Sequence, residues 1–407
     1  MQGRKVPLAV RPALSGGAAA GRPAGLRQQG GQGRSFGAAP ARARAITGRP
    51  DTLIVLPAMG LLTIGLVMVF SASAVQALLE TNDALYYAKR QFIGLVLGLV
   101  AMGLLSRIDY HWLRRLAWPG MLMSVALLVA VLFVGREISG AKRWIPLGFI
   151  NLQPSEVTKL ALIFCVADWL DRRRDLLMSF WRGYLPPLLV TAILFGLVML
   201  EPDLGTGLTL GAITVVMLFA AGASGLHIFL TGLMAIAGIV ALIWMEPYRM
   251  RRIMGFRNPW ADPLDTGFQT IQSLLAVGSG GLFGSGLGQS RQKYFYLPEQ
   301  HTDFIFGIVG EELGFLGATL VVVLFFLLCW RGLRAALRAP DFFGTTLATG
   351  LTALIGVQAF LNMGVVTGLL PVTGITLPFL SYGSSSLVVT LAAVGVLLNI
   401  SRQGEET

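Results

Sequence analysis

Asp303 is the residue whose type and position best suit chemistry, because it directly precedes a long apolar run that begins FIFGIVG. A carboxylate at the edge of hydrocarbon loses part of its hydration, which raises its pKa and makes it a better proton acceptor. Two further acids, Glu311 and Glu312, follow two turns into the run. Charge is costly within a membrane, so at least one of them is expected to face the interior of a helix bundle.

The residues just before Asp303 include two more ionisable side chains, Glu299 and His301. If residues 298–303 are extended, the three side chains share one face and offer donor atoms to a hard cation such as Mg²⁺ or Mn²⁺. Two carboxylates and one imidazole form a weak metal pattern, and ordinary solvation is the favoured interpretation, so no metal ligand is assigned. His301 is expected chiefly as a hydrogen-bond neighbour of Asp303.

A second group of charged residues lies in the segment GAKRWIPLGFINLQPSEVTKLAL. Arg143 and the lysine before it could hold a phosphate, whereas Trp144 after them is equally explained as an interfacial anchor. Glu156 and Lys159 fall three apart on a predicted helix and can form an ion pair. Such a pair either neutralises itself at a helix end or lines a polar cavity, and the sequence leaves both interpretations open.

Three other segments contribute polar candidates. Glu201 belongs to EPDLGTG, for which a role in a tight turn is favoured. The segment 247–303 is long for a simple connection; TIQSLLAVGSGGLF within it predicts a short helix, and its glycines favour close backbone approach to a ligand or to helices. Ser381, in LPFLSYGSSSL, lacks recognisable hydrolase partners and is interpreted as part of a polar re-entrant segment lining the same cavity.

Composition indicates the elements that must position these residues. The 407 residues are 54% hydrophobic and only 13% charged, which is typical of a membrane protein. Apolar segments of about 20 residues, enough to cross about 30 Å of hydrocarbon, recur along the chain. They predict an all-α polytopic bundle of ten transmembrane helices, at about 52–75, 90–106, 114–135, 154–170, 185–200, 204–222, 226–246, 304–330, 344–369 and 378–400. A large extracytoplasmic loop, about 247–303, then separates helices seven and eight.

The distribution of Lys and Arg predicts the orientation and one further region. Basic residues are concentrated in alternate loops, which favours cytoplasmic amino and carboxyl termini. Residues 1–50 are rich in Gly, Ala and Arg and are predicted to form a disordered basic cytoplasmic arm, with residues 51–407 as the membrane domain. Much of the net charge of +11 lies in this arm, where anionic lipid or a protein partner explains it and nucleic acid is not implied. Cys165 and Cys329 are expected to pack as small hydrophobes without forming a disulfide.

Several blocks of the sequence resemble the SEDS family of bacterial cell-wall polymerases. They are FSASA, GAKRWIPLGFINLQPSEVTKLAL, EPDLGTGL, NPWADP, QSLLAVGSGGLFGSGLGQSRQKYFYLPEQHTDFIFGIVGEELGFLG and PVTGITLPFLSYGSSSL. The likeness covers about residues 52–400 and is closer to the FtsW and SpoVE branch than to RodA. It implies ten transmembrane helices and a peptidoglycan glycosyltransferase that polymerises lipid II into glycan strands at the outer face of the cytoplasmic membrane. It also implies a class B penicillin-binding protein (a transpeptidase) as partner, with other division proteins at the septum.

The same resemblance implies roles for particular residues. Asp303 matches the aspartate that the family associates with catalysis, and the blocks GAKRW and QPSEVTK contain matches at Arg143, Trp144, Glu156 and Lys159. The implied reaction needs a base for a sugar hydroxyl and a positive environment for a departing pyrophosphate. Asp303 can act as the base. The candidates for stabilising the pyrophosphate are Arg143, Lys159, Arg249, Arg252 and Lys293.

Two hypotheses of other classes remain alongside polymerisation. A ten-helix bundle with intramembrane charges and interrupted helices is also typical of a transporter, here a flippase for a lipid-linked precursor. The candidates cluster on one side of the membrane rather than at its midplane, which favours the polymerase. A scaffold for division proteins would explain the arm but leave Asp303 without a function.

Overall fold

The computed structural model describes residues 50–138, 141–148, 150–294 and 296–404. Apart from its last residue, the predicted basic arm of residues 1–50 lies outside the described residues. Twelve α-helices and three short strands occur in the described part of the chain. Cys165 is buried, Cys329 is half-buried, and both are free thiols.

Each of the ten segments that the sequence predicts as transmembrane contains a long helix, although the last helix begins at Ser384 and not at the predicted residue 378, because residues 378–383 form turns. The ten helices are α1 (Thr52–Thr81), α2 (Tyr86–Leu105), α3 (Leu113–Val134), α4 (Pro154–Arg172), α5 (Leu185–Leu200), α6 (Leu204–Ala220), α7 (Gly225–Met245), α10 (Ile305–Leu337), α11 (Phe342–Val366) and α12 (Ser384–Gly404). Eight helices of the described chain are long and apolar enough to cross a membrane. The other two are α6, which has 17 residues, and α4, which carries Glu156, Lys159 and Asp168 along its length. The all-α polytopic architecture is therefore confirmed, while the number of spans stays a prediction.

The bundle is built around α12, whose residues are almost all buried. It packs against α2 and α11, and glycines on α2 permit a close approach to it. A Cβ atom added at Gly94 would lie 2.8 Å from the Cα of Ser384, and one at Gly98 would lie 2.5 Å from a methyl carbon of Leu391. By contrast, α7 has no buried residue and lies at the edge of the described bundle.

The segment between α7 and α10 is ordered by packing against the bundle. It contains α8 (Pro247–Arg257) and α9 (Phe268–Ser279), of which the sequence predicts only the second. The glycine-rich turns that follow α9 lie against a break in α10 at Gly314, where φ is +67°. A Cβ atom at Gly314 would lie 2.3 Å from the backbone nitrogen of Gly284, so the contact requires glycine. The predicted close backbone approach to a neighbouring helix is confirmed here.

A small antiparallel sheet between α3 and α4 is not predicted by the sequence. Its strands are β1 (Arg136–Ile138), β2 (Ala141–Pro146) and β3 (Asn151–Leu152), in the order β1–β2–β3. In the register, Trp144 lies opposite Arg136 and Ile145 lies opposite Leu152. The sheet places Arg143 on its central strand, next to the connection between α5 and α6.

Candidate functional site

The segment that carries Asp303 forms tight turns, so the extended conformation considered for residues 298–303 is wrong. Glu299 has a left-handed backbone with φ of +53°, and its carbonyl oxygen accepts hydrogen bonds from the backbone nitrogens of Thr302 and Phe304, both at 3.2 Å. Because the chain folds back on itself, Glu299, His301 and Asp303 do not alternate along a strand. In the described part of the chain, no group of three or more His, Cys, Asp or Glu side chains converges to hold a metal ion.

Asp303 is held at the start of α10 by its backbone. Asn362 of α11 donates one hydrogen bond to the carbonyl oxygen of Asp303 and one to that of Ile375, each at 2.7 Å. Gly374, with φ of +73°, lies so near that an added Cβ atom would be 3.5 Å from Oδ2 of Asp303. Asp303 is half-buried as a residue, and its carboxylate receives no hydrogen bond from the described residues. Its backbone is fixed, and its side chain is available to a substrate.

The surroundings raise the pKa of Asp303 to about 7. Burial is the main cause, and the negative charges of Glu299 and Asp203 act in the same direction. The guanidinium groups of Arg143 and Arg252 oppose the rise. A carboxylate with a pKa near neutrality can accept a proton in its ionised form and then release it, as general base catalysis requires.

Arg143 and Arg252 reach this region from different elements. The Nε of Arg143 on β2 donates to the carbonyl oxygen of Glu201 at 2.9 Å, and its Nη2 donates to that of Pro202. Arg252 on α8 donates from Nη1 to the carbonyl oxygen of Val372 at 3.0 Å and stacks over the ring of Tyr248. Neither guanidinium forms an ion pair with a described residue, so their positive charge is available to an anion.

The connection between α5 and α6 is a structural turn, as the sequence favours, and it also presents two acids. Asp203 caps α6. Its Oδ1 accepts a hydrogen bond from the backbone nitrogen of Thr206 at 3.0 Å, and its Oδ2 accepts one from the Thr206 hydroxyl at 2.7 Å. The carboxyl group of Glu201 is buried, and neither oxygen has a described hydrogen-bond partner. Burial and the charge of Asp203 raise the pKa of Glu201 to about 8, against the effect of Arg143.

Glu156 and Lys159 form the predicted ion pair inside the bundle. The Nζ of Lys159 lies 2.8 Å from Oε1 of Glu156, and the two side chains are 1% and 5% exposed. The second oxygen of Glu156 is buried without a described partner. The pair is therefore not a solvated helix end. Because a buried charge must be compensated, each member holds the other in place.

Lys293 and the two acids of α10 hold the glycine-rich turns against the bundle. Glu311 and Glu312 are both buried, which confirms and extends the expectation that at least one faces inward. The carboxylate of Glu311 accepts from the backbone nitrogen of Arg291 at 2.8 Å and from the hydroxyl of Ser290. Lys293 lies 3.3 Å from Glu312 and also donates to a backbone carbonyl, so its ammonium is already paired.

Two other candidates, Arg249 and Ser381, have local partners. Arg249 donates to the carbonyl oxygen of Leu242 at 3.1 Å, near the end of α7. The hydroxyl of Ser381 donates to the carbonyl oxygen of Thr302 at 2.6 Å and accepts from the backbone nitrogen of Leu377 at 2.7 Å. Ser381 therefore fixes the turn next to Asp303.

His301 is not the hydrogen-bond neighbour of Asp303 that the sequence suggests, and that prediction is wrong. Its ring packs between those of Tyr87 and Tyr382, with centroids 4.7 and 5.6 Å away. Its Nδ1 is buried without a described partner, and burial lowers its pKa. The turn directs the imidazole toward α2 because its backbone does not alternate.

The sequence reasoning missed two residues that shape the site, Asn362 and Gly374. Asn362 is a single amide in an apolar stretch of α11, AFLNMGVV, and a buried amide in such a run is a signal of a specific hydrogen bond. Gly374 lies in PVTGITLP and has a φ of +73°, a conformation that glycine adopts at no steric cost, and a glycine is the only signal of it in the sequence.

Comparisons with known proteins agree with this architecture. A family model described as Cell cycle protein, for the FtsW, RodA and SpoVE group, matches residues 51–406. The chain is 51% identical over 357 residues to Stage V sporulation protein E of Bacillus subtilis (strain 168), covering 87% of this chain and 97% of the relative. It is 46% identical over 353 residues to the Probable peptidoglycan glycosyltransferase FtsW of Geobacter sp. (strain M18), covering 86% of this chain and 96% of that relative.

Solved structures show the same fold. A chain from a structure on the coordination of polymerization and crosslinking by a peptidoglycan synthase complex matches with a TM-score of 0.73 at 34% identity, covering 88% of this chain and 99% of that one. The Rod shape determining protein RodA of Thermus thermophilus matches with a TM-score of 0.65 at 32% identity, covering 87% of this chain and 97% of that one.

Proposed function

The chain belongs to the FtsW, RodA and SpoVE family of cell cycle proteins, and we propose that it is a peptidoglycan glycosyltransferase. In this proposal it polymerises lipid II at the outer face of the bacterial cytoplasmic membrane for septal wall synthesis. The curated name of its FtsW relative and the match to a chain of a peptidoglycan synthase complex support the activity. The observation that carries it is the carboxylate of Asp303, which has no described hydrogen-bond partner and a pKa of about 7, together with the guanidinium groups of Arg143 and Arg252, which are near enough to oppose the rise of that pKa.

Chain growth forms one bond and breaks another. The 4-hydroxyl of one sugar attacks the anomeric carbon of a second, the bond from that carbon to the polyprenyl pyrophosphate breaks, and the hydroxyl proton must leave. Asp303 accepts that proton, and one positioned carboxylate typically contributes 10² to 10⁴-fold, on the order of 3 to 5 kcal/mol. The departing pyrophosphate keeps the electron pair of the broken bond. Arg143 and Arg252 stabilise its charge through charge-assisted hydrogen bonds.

The other candidates take supporting roles in this proposal. Trp144 follows Arg143 on β2 and offers a ring face to a sugar or lipid head. The buried pair of Glu156 and Lys159 keeps α4 in position, and Glu201 supports Arg143 through its carbonyl oxygen. Contacts of these residues with the substrate are part of the proposal. It also includes substrate contacts of four residues that interact with neighbouring groups of the protein, namely Arg249, Lys293, His301 and Ser381.

A divalent cation, Mg²⁺ or Mn²⁺, enters the proposal only as a companion of the substrate's pyrophosphate. The cations Arg143 and Arg252 would share the phosphate oxygens with it, and Asp303 offers the nearby carboxylate. The described residues contain no cluster of three or more His, Cys, Asp or Glu that could hold such an ion without the substrate.

The assembly and its orientation are part of the same proposal. One of the structurally similar chains comes from a peptidoglycan synthase complex. This similarity supports the proposal that the protein forms a complex with a class B penicillin-binding protein and other division proteins. Orientation with both termini cytoplasmic puts the connection between α7 and α10 outside, where the glycan grows. The excess of Lys and Arg in the loops of the opposite side supports that orientation.

The test uses the full chain in vesicles with labelled lipid II. Wild-type protein is expected to form glycan chains, Asp303→Asn to form none above background, and Asp265→Asn to match the wild type. Asp265 is the control because it is an exposed acid of the same outer segment that does not influence the pKa of Asp303. Lipid movement across the vesicle without chain growth would instead identify a flippase. Neither activity, with or without a co-purified transpeptidase, would favour a scaffold.

A further inference from the structure

A groove between α1 and α2 has no role in the function proposed above. Its volume is about 510 Å³, within the range of about 300–1,000 Å³ that is usual for small-molecule sites. Its walls are apolar, with Leu66 and Val69 on α1 and Leu85, Ala88, Phe92 and Ile93 on α2. Lys89 and Gln91 are its polar lining residues. The groove therefore fits a hydrocarbon chain whose polar head lies at one end.

Gln91 connects the wall of this groove to the turn that carries Asp303. Its side chain is buried; Nε2 donates to the carbonyl oxygen of Ser381 at 3.2 Å, and Oε1 accepts from the backbone nitrogen of Gly383 at 3.1 Å. The hydroxyl of Ser381 in turn donates to the carbonyl oxygen of Thr302 at 2.6 Å. The side chains of Gln91 and Ser381 thus link the groove wall by hydrogen bonds to Thr302, the residue before Asp303.

One cationic side chain, Lys89, lines the groove from α2. Lys89 is paired with Asp83 at 2.7 Å, but the two side chains are 61% and 39% exposed, so a substrate phosphate can displace this contact. The next residue, Arg90, does not line the groove, because its guanidinium stacks over Tyr86 and donates to the carbonyl oxygen of Gly148 at 3.4 Å. The ammonium of Lys89 therefore complements a lipid phosphate at the end of the groove.

The proposed reaction brings two polyprenyl-linked sugars to one base, and their lipid chains must occupy different spaces. Arg143 on β2 and Arg252 on α8 act on the pKa of Asp303, whereas its turn is held by Ser381, which lies just before α12 and is bound by Gln91 of α2. We propose that the groove between α1 and α2 holds the polyprenyl chain of one of the two lipid-linked substrates, with Lys89 facing its phosphates. This inference rests on the proposed function and adds a site for the second substrate.

Photocrosslinking tests occupancy without requiring turnover. Full-length protein in vesicles is labelled with a photoreactive polyprenyl pyrophosphate, and the attached peptides are identified by mass spectrometry. Labelling is expected on α2 at Phe92 and its groove neighbours. Excess undecaprenyl pyrophosphate should displace it at least tenfold more effectively than phosphatidylglycerol, and Lys89→Ala should weaken it more than Lys89→Arg. Equal displacement by phosphatidylglycerol, or labelling confined to other helices, would overturn the proposal.

Kinetics with filled-groove variants give a second, independent test. Ala88→Trp places a large ring in the groove, and Leu97→Trp is the matched control because Leu97 is 41% exposed on the same helix and does not line the groove. Ala88→Trp is expected to raise KM for lipid II at least tenfold and to remove the preference for long over short polyprenyl chains. Leu97→Trp should change neither. If wild type polymerises and the two variants behave alike, the groove proposal is wrong; if wild type forms no glycan, the proposed function itself fails.

Discussion

Replacing Glu299 by Gln should shift the pH dependence of glycan synthesis toward lower pH. The negative charge of Glu299 raises the pKa of Asp303, which is about 7 in the folded protein. Removing that charge makes ionisation of Asp303 easier, so the active, deprotonated base is present at lower pH. Gln retains an oxygen that can accept the hydrogen bond from the Thr302 hydroxyl, now 2.9 Å from Glu299, so the turn should keep its shape.

The size of the shift follows from the exposure of Glu299. Its side chain is exposed, so its charge acts through a high effective dielectric and the shift should be less than about one pH unit. For a pKa of about 7, about one tenth of Asp303 is ionised at pH 6, and a shift of about half a unit raises this to about one quarter. The variant should therefore be about 2.5-fold faster than wild type at pH 6 and equal to it at pH 8.5.

The assay measures kcat/KM for lipid II between pH 5.5 and 9 at low and high ionic strength. The acidic limb should move in Glu299→Gln, and the difference should shrink at high salt because exposed charges are screened. Asp265→Asn, which removes a charge that does not act on Asp303, should leave the profile unchanged. An acidic limb that stays in place, or moves to higher pH, would refute the assignment of that limb to Asp303.

Three further predictions concern the framework and the substrate's cation. Gly314→Ala should destabilise the protein by about 2 kcal/mol or more in thermal unfolding, because the new Cβ would meet the backbone of the glycine-rich turns, whereas Gly211→Ala, which meets nothing within 4 Å, should not destabilise it. Lys159→Met should cost about 3–5 kcal/mol by leaving the Glu156 carboxylate uncompensated, and adding Glu156→Gln should restore most of it; a double variant no better than the single one would argue against the ion pair. Chelation by EDTA should slow glycan synthesis without lowering the unfolding temperature, and an equal loss of both would contradict a cation carried by the substrate.

The helices of the bundle could be predicted from the sequence because long apolar runs have few alternatives in a membrane. Each of the ten predicted segments contains a helix, and the short helix expected within TIQSLLAVGSGGLF is α9. The small sheet and α8 escaped prediction, because strands of two to six residues and an 11-residue helix rich in arginine leave little periodic signal. Their formation depends on contacts with the rest of the fold.

The candidate site could be predicted only in part. Asp303 was identifiable because an acid directly before an apolar run has a local signature, and the pair of Glu156 and Lys159 follows from helical spacing. The direction of the His301 side chain could not be predicted, because it depends on the left-handed backbone at Glu299. The approach of Arg143 to Asp303 depends on contacts between segments 160 residues apart, which no local pattern encodes.

The most direct test of the central role of Asp303 is a single-turnover measurement on Asp303→Asn with a preformed glycan acceptor and labelled lipid II. The substitution keeps the size of the side chain and the backbone contacts through Asn362, so lipid II binding should stay within about threefold of wild type. The rate constant for the addition of one disaccharide should fall by about 10² to 10⁴-fold, the usual contribution of a general base. A rate constant within tenfold of wild type would contradict the role of Asp303 as the proton acceptor.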